Sequence, residues 1–190
     1  MTGDPLIAFD KVVAGYRAPV VGPASFIVWP GEVVGLTGAN GSGKSTLLGV
    51  LTGRAQLFGG EIQRRPDLRV AFQRQEPIGV RGLPLRAGEL LAATGAEWSA
   101  PPTLTTLLEK RADSLSGGQL QLLQVWAALG AHANLVVLDE PTNNMDPQGV
   151  RALAEVLRTP PSDRGVVLVT HDHALLAEVC SRTVEVARWV

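Results

Sequence analysis

The sequence predicts an α/β fold: a mainly parallel sheet with helices on both faces, an antiparallel β edge and a small inserted helical lobe. Three observations carry that expectation. Three short runs, 32–37, 135–138 and 165–170, are dominated by valine and leucine, as strands buried on both faces of a parallel sheet are. Segments with helical spacing follow each of them. A glycine-rich stretch joins the first run to its helix.

Taken in order, residues 6–16 and 24–29 alternate apolar and polar side chains well enough to be half-buried strands of the antiparallel edge. Pro30-Gly31 marks a turn. The strand at 32–37 runs into a loop and then a helix from about 44 to 51. Residues 69–72 predict another short strand. From about 77 to 115 the character changes. That stretch carries Pro77, Pro84, Pro101 and Pro102, short helical runs at 85–93 and 103–110, and the lone Trp98. It reads as a helical lobe inserted into a core formed by 1–76 and 116–190, all within one domain. Beyond it, 119–129 is helical by spacing and 135–138 is an apolar strand. Residues 147–157 form a helix with proline in its first turn. A last buried strand at 165–170 leads to a helix at 173–180 and a short strand at 184–189.

Composition narrows the function. With 190 residues and 45% hydrophobic side chains, the chain can bury a real core. The net charge of −1 leaves no broad electropositive footprint of the kind that nucleic-acid binding by charge alone needs, though single basic patches remain open. Cys180 is the single cysteine; it cannot form an intramolecular disulfide and is expected to be a buried structural thiol. Met1-Thr2-Gly3-Asp4-Pro5 places an acid and a proline where a signal peptide needs basic residues. The apolar runs fall far short of the roughly 18–20 residues that span a bilayer. The expectation is a cytoplasmic chain that meets a membrane only through a partner.

Gly38-Ala39-Asn40-Gly41-Ser42-Gly43-Lys44-Ser45 fits G-x-x-x-x-G-K-[ST] and lies between a predicted strand and a predicted helix. It predicts a P-loop NTPase core. Glycines let backbone N–H groups surround a β-phosphate where a Cβ would block the approach. The helix that begins there, Thr46 included, directs its positive end at the same anion. Lys44 would bridge β- and γ-phosphates, and the Ser45 hydroxyl would ligate Mg²⁺. Asp139 and Glu140 end the apolar strand at 135–138, and strand ends are where ligands sit in open α/β sheets. Asp139 suits the Mg²⁺ hydration shell. Glu140 would orient or deprotonate the attacking water.

Leu115-Ser116-Gly117-Gly118-Gln119 opens a helix ahead of Leu138-Asp139-Glu140-Pro141. With the phosphate loop, this order of motifs resembles the ATP-binding-cassette ATPases over nearly the whole chain. The resemblance implies that residues 115–119 are a signature that contacts nucleotide held by a second ATPase subunit, each ATP being buried between two chains, most simply a homodimer. It further implies that Tyr16 stacks on adenine and that Gln75 touches Mg²⁺ and water, with Gln73 as the competing candidate. Asp146 takes the place of the D-loop aspartate that signals across the dimer. His171 takes that of the switch histidine at the γ-phosphate. Lys44, Gln75, Glu140 and His171 are thus the expected catalytic residues. Ser45, Gln75 and, through water, Asp139 are the expected metal ligands, with ATP and Mg²⁺ as cofactors.

The function so implied is ATP hydrolysis that powers transport through separate membrane permease subunits. Leu83-Pro84-Leu85-Arg86-Ala87-Gly88-Glu89-Leu90-Leu91 resembles a region of zinc- and manganese-type importer ATPases, which points to metal-ion cargo. Two alternatives remain: a cassette protein of translation or DNA maintenance, which Asn143-Asn144 suggests, and a nucleotide-sensing cassette with little turnover. Leu122 stands where the family has arginine, which puts the packing or charge of the signature helix in question. His171 and His173 form a His-x-His, but no cysteine lies near and His171 has the better role at phosphate. His132 follows a helix end and is expected to meet water or the helix dipole. Trp29, Trp98, Trp126 and Trp189 lack paired spacing and are expected to be packing residues.

Overall fold

The computed structural model describes residues 4–73, 84–95 and 102–190. Two sheets face each other. The first is antiparallel, with strand β1 (Ile7–Gly15) between β2 (Pro19–Val28) and β4 (Gln56–Arg64). The second is parallel throughout, in the order β5 (Val70–Gln73), β6 (Leu135–Asp139), β7 (Gly165–Val169), β3 (Val33–Thr37), β8 (Arg182–Glu185).

The valine- and leucine-rich strands explain how the layers form. Alternate side chains of a strand point to opposite faces, and here each face meets its own core. Val34, Leu36, Val137, Val167 and Val169 point toward the antiparallel sheet, where Ile7, Phe9, Val12 and Phe26 meet them together with Leu47 and Leu48 of helix α1 (Lys44–Gly49). Phe9 and Phe26 stack with ring centroids 4.3 Å apart. Val33, Val136, Leu138, Val166 and Leu168 point the other way. Leu36, Val34, Leu138, Val136 and Val137 are wholly buried, each worth about 1.5–3 kcal/mol of hydrophobic stabilisation.

The second core is closed by helices. Between α1 and the signature region lie α2 (Ala87–Ala93) and α3 (Pro102–Thr105). Then come α4 (Gly117–Gly130), α5 (Pro147–Arg158) and α6 (His173–Val179). Leu123, Val125, Trp126 and Leu129 of α4 pack with Leu153 and Leu157 of α5 and with Leu175, Leu176 and Val179 of α6. Ala87, Leu91, Leu104 and Leu107 belong to the same cluster. The described part of the expected lobe therefore shares its apolar face with α4.

Several expectations shift. The antiparallel element is a sheet in its own right, and its third strand, β4, was not foreseen. Residues 106–110 turn rather than continue a helix. The last strand is Arg182–Glu185, ahead of the expected 184–189. Cys180 is half-buried, not buried; it packs against the α4–α6 core, and burial pushes its thiol up to about 11. Trp126 is a core residue, but Trp29 is half-buried and Trp189 is 41% exposed. Leu122 is buried against the helical core and borders the cleft beside the signature. His132 is exposed just beyond α4. Trp98 and Leu83 lie outside the described residues. Among the described residues, no helix is long and apolar enough to cross a membrane.

Candidate functional site

The loop between β3 and α1 needs its glycines. Gly43 has φ 97°, and a Cβ there would lie 2.5 Å from Val21. Gly38 has φ 140°, and a Cβ would lie 2.4 Å from the Val186 carbonyl. L-residues rarely adopt such backbone, so the loop keeps its N–H groups free of side-chain cover. Lys44 is buried and curls over this loop. Its Nζ donates to the carbonyls of Gly38 at 2.8 Å and Ala39 at 3.1 Å, which fixes one ammonium charge at the mouth of the cradle.

β6 delivers two carboxylates to the same place. Asp139, its last residue, is buried; the Ser45 hydroxyl donates to the carboxylate, and Oδ1 has no hydrogen-bond partner. Burial raises the carboxyl above its ordinary value, opposed by Ser45 and the Lys44 charge. Glu140 follows in left-handed backbone, φ 50°, with its N–H donating to the Val169 carbonyl at 2.8 Å. For a residue other than glycine this conformation costs about 1–3 kcal/mol and persists only where neighbours enforce it. Glu140 Oε1 lies 3.2 Å from His171 Nε2. Burial raises the Glu140 carboxyl as well, and His171 acts against the rise.

β7 supplies the histidine. Thr170 is buried at its end, where its Oγ1 accepts from the Asp172 N–H at 3.1 Å and lies 3.5 Å from Thr142 Oγ1. Asp172 in turn caps α6 through the Leu175 N–H at 3.0 Å. The turn bearing exposed His171 is thereby fixed on both sides. His173 is exposed on α6, and among the described residues no group of three or more His, Cys, Asp or Glu could hold a metal ion.

Together these residues line a cleft of about 470 Å³ that contains Asn40, Lys44, Ser45, Thr46, Glu140 and His171. Gly41, Gly43, Asp139, Val20 and Asn143 line it as well. Gly38 and Ala39, in the same loop, border a neighbouring cleft with Thr170, His171 and His173, and Ser42 is buried. Tyr16 is 54% exposed beyond β1 and does not line this cleft. Gln75 lies outside the described residues. The competing Gln73 closes β5 and is buried.

The signature is elsewhere. Ser116 caps α4, accepting from the Gln119 N–H at 3.3 Å while Gln119 Oε1 accepts from the Ser116 N–H at 3.1 Å, a reciprocal cap. Leu115 packs on the helical core. Gly117 faces open space, whereas a Cβ on Gly118 would lie 2.0 Å from the Asn144 carbonyl. Asp146 caps α5 through the Gly149 N–H at 2.7 Å. Ser116, Gly118, Gln119, Asn144 and Asp146 border a second cleft of about 560 Å³. The motifs read from the sequence therefore fall into two groups on the folded chain. Thr170 had no role in the sequence reading, and Asn143 entered it only as part of the Asn143-Asn144 pair, not as a residue lining this cleft; the position of Thr170 directly before His171 was the available signal.

A phosphate cradle, a buried strand-end carboxylate, an adjacent glutamate and a facing histidine define a P-loop nucleoside triphosphatase. Within that class the chain belongs to the ABC transporter family, whose model matches residues 21–143. It is 35% identical to the zinc import ATP-binding protein ZnuC of Paracoccus denitrificans, over 95% of this chain and 75% of that protein. It is 37% identical to the protein of that name from Alkalilimnicola ehrlichii, over 81% of this chain and 63% of that one. A solved ATP-binding subunit of an ABC transporter superposes with a TM-score of 0.78 at 24% identity, covering 96% of this chain and 86% of its own. The chain is an ATP-binding, ATP-hydrolysing subunit that powers transport through separate membrane permease subunits.

Proposed function

We propose that two copies of this chain close on Mg-ATP at the cytoplasmic face of a membrane and drive import of a divalent metal ion, zinc being the cargo of first choice. The observation that carries this reading is the separation of the two clefts. Lys44, Ser45, Glu140 and His171 line one, Ser116 and Gly118 the other. The two linings share no residue, which supports a signature supplied to the triphosphate by a second copy. The names of the zinc-import relatives support the cargo, as does the Leu83–Leu91 sequence.

In this reading the core comprises 1–76 and 116–190, and the lobe spans about 77–115. Lys44 and the loop N–H groups, with Gly38 to Thr46, hold the β- and γ-phosphates, and Tyr16 covers the base. The Mg²⁺ site fits the residues present: Ser45 and Asp139 offer hard oxygen donors, and Asp139 Oδ1 is buried with no partner. Gln75 joins them from the segment after β5. When bound, Mg²⁺ neutralises charge on the β- and γ-phosphate oxygens. Glu140 orients the attacking water and takes its proton, while His171 donates to the γ-phosphate. The partner's signature closes the site, with the tip of its α4 and its serine hydroxyl aimed at developing charge. Loss of the γ-phosphate removes those contacts and weakens the seam, the differential that a conformational cycle needs. Asp146 passes the change between copies.

The test is phosphate release with Mg-ATP alongside size-exclusion chromatography of Glu140→Gln. That variant should lose turnover yet form ATP-dependent dimers. Wild-type turnover in it, or a strictly monomeric ATP complex, would overturn the reading. Growth of a deletion strain under zinc, manganese and iron limitation assigns the cargo; a defect confined to a metal other than zinc removes zinc.

A further inference from the structure

We infer that Gln121, on the second turn of α4, is a positioning residue for Glu140. Its side chain is buried, 3% exposed, and points inward from the helix that Ser116 caps. Nε2 donates to the carbonyl of Glu140 at 3.3 Å and to that of Pro141 at 3.3 Å. A primary amide has two N–H groups, and each meets one carbonyl of the catalytic turn.

The arrangement has a specific consequence. Glu140 is held in left-handed backbone, φ 50°, which a residue with a Cβ leaves unless its surroundings enforce it. The N–H of Glu140 is fixed by the Val169 carbonyl on β7. Its carbonyl accepts from Gln121 on α4 and from the Asn143 N–H, both at 3.3 Å. The two peptides that flank the Glu140 Cα are thus each held, and that sets the direction of the side chain whose Oε1 reaches His171 at 3.2 Å. One turn earlier on α4, Gly118 lies against the Asn144 carbonyl so closely that a Cβ would come within 2.0 Å. The first two turns of α4 thus run along the 140–144 segment and are latched to it at both ends.

Removing the amide takes the side-chain donor from the Pro141 carbonyl, leaves the Glu140 carbonyl with the Asn143 N–H alone, and loosens the turn at Glu140. Misplacing a catalytic group by about 1 Å costs up to roughly a hundredfold in rate. Gln121 touches neither the cleft nor the phosphate loop, so nucleotide binding should not depend on it. The inference rests on the reading that Glu140 orients the attacking water.

Two variants of the full chain test it: Gln121→Met, which keeps length and volume without donors, and Gln121→Leu. Phosphate release at saturating Mg-ATP is normalised to the concentration of nucleotide-binding sites, so misfolded chain does not count. The expected result is a fall in kcat of about ten- to a hundredfold. KM and the equilibrium affinity for a fluorescent ATP analogue should stay within about twofold, the pattern of an interaction needed only in the transition state. Unchanged kcat in Gln121→Met, or affinity lost in step with kcat, would overturn the assignment. Turnover that survives Glu140→Gln sinks the underlying reading instead, and needs no Gln121 variant to be seen.

Discussion

His171 Nε2 lies 3.2 Å from Glu140 Oε1, joining the ends of β7 and β6 across the mouth of the phosphate cleft. The two side chains are unequal partners. That of His171 is 53% exposed and that of Glu140 only 10%. The histidine can leave toward a phosphate, while the glutamate stays in place. Burial drives the Glu140 carboxyl upward, and His171 is the largest influence holding it down.

A pH profile follows from that pair. Glu140 works as the carboxylate, so turnover falls as pH drops through its raised pKa. Without His171 the main opposing influence is gone, and the acid limb must move to higher pH. His171→Ala should therefore shift the limb upward as well as lowering the plateau by about a hundredfold, the usual loss for one charge-stabilising donor. Steady-state kcat measured from about pH 5 to 9 reads both. An acid limb unmoved in the variant separates His171 from the ionisation of Glu140.

Asp139 gives a stability prediction whose sign is fixed by burial. Its carboxyl is raised in the folded chain, so the ionised form destabilises. Stability contributed by the protonated form is complete below the unfolded pKa and is lost as pH rises through the folded one. Asp139→Asn stays neutral at every pH. Without nucleotide it should melt above wild type at neutral pH, and the difference should vanish as pH falls below the ordinary carboxylate range. With Mg-ATP at a hundred times Kd, wild type should gain about 2.7 kcal/mol and the variant little. Thermal melts with and without Mg-ATP check both halves.

The same residues show what was legible beforehand. β6 and β7 were plain because each is a short valine- and leucine-rich run, five residues long and buried throughout, and that length and β-branched content mark a strand covered on both faces. The phosphate loop, the carboxylate pair and the signature were plain because backbone geometry dictates their spacing. β4 was not. Nearly all of its side chains are exposed, including Leu57 and Phe58, and Gly59-Gly60 interrupts any alternation. Its pairing with β1 comes from backbone hydrogen bonds that leave no side-chain signature. Leu122 looked like a missing charge because it was judged against a motif; folded, it fills part of the helical core. The left-handed turn at Glu140 is likewise invisible in Leu-Asp-Glu-Pro, since no glycine announces it.

Cys180 tests the packing of the helical core by chemistry alone. Burial pushes its thiol up to about 11, so at neutral pH it carries roughly a hundredfold less thiolate than an ordinary cysteine. Alkylation by iodoacetamide should be slower in the native chain than in urea by about that factor. The native rate should still be climbing at pH values where the unfolded chain has levelled off. Equal rates in the two states would mean that the α6 end is open to solvent.

Gly117 and Gly118 separate the signature's part in the fold from its part in turnover. They are neighbours at the tip of α4 with opposite surroundings. A Cβ on Gly117 meets nothing within 4 Å, while one on Gly118 would stand 2.0 Å from the Asn144 carbonyl. Gly118→Ala must push α4 off the 140–146 turn, a backbone displacement expected to cost about 1–3 kcal/mol. Gly117→Ala adds a methyl in open space on a helix, where alanine exceeds glycine by up to about 1 kcal/mol. Urea unfolding of the isolated chain should therefore rank the variants with Gly117→Ala at or above wild type and Gly118→Ala below it. Turnover should rank them differently. If the exposed tip receives the triphosphate of a second copy, the Gly117 methyl occupies that seam, and Gly117→Ala loses phosphate release while keeping its stability and its ATP affinity as a monomer. A stable Gly117→Ala chain that hydrolyses ATP at the wild-type rate would place the tip away from any nucleotide, and the two-copy reading would fall with it.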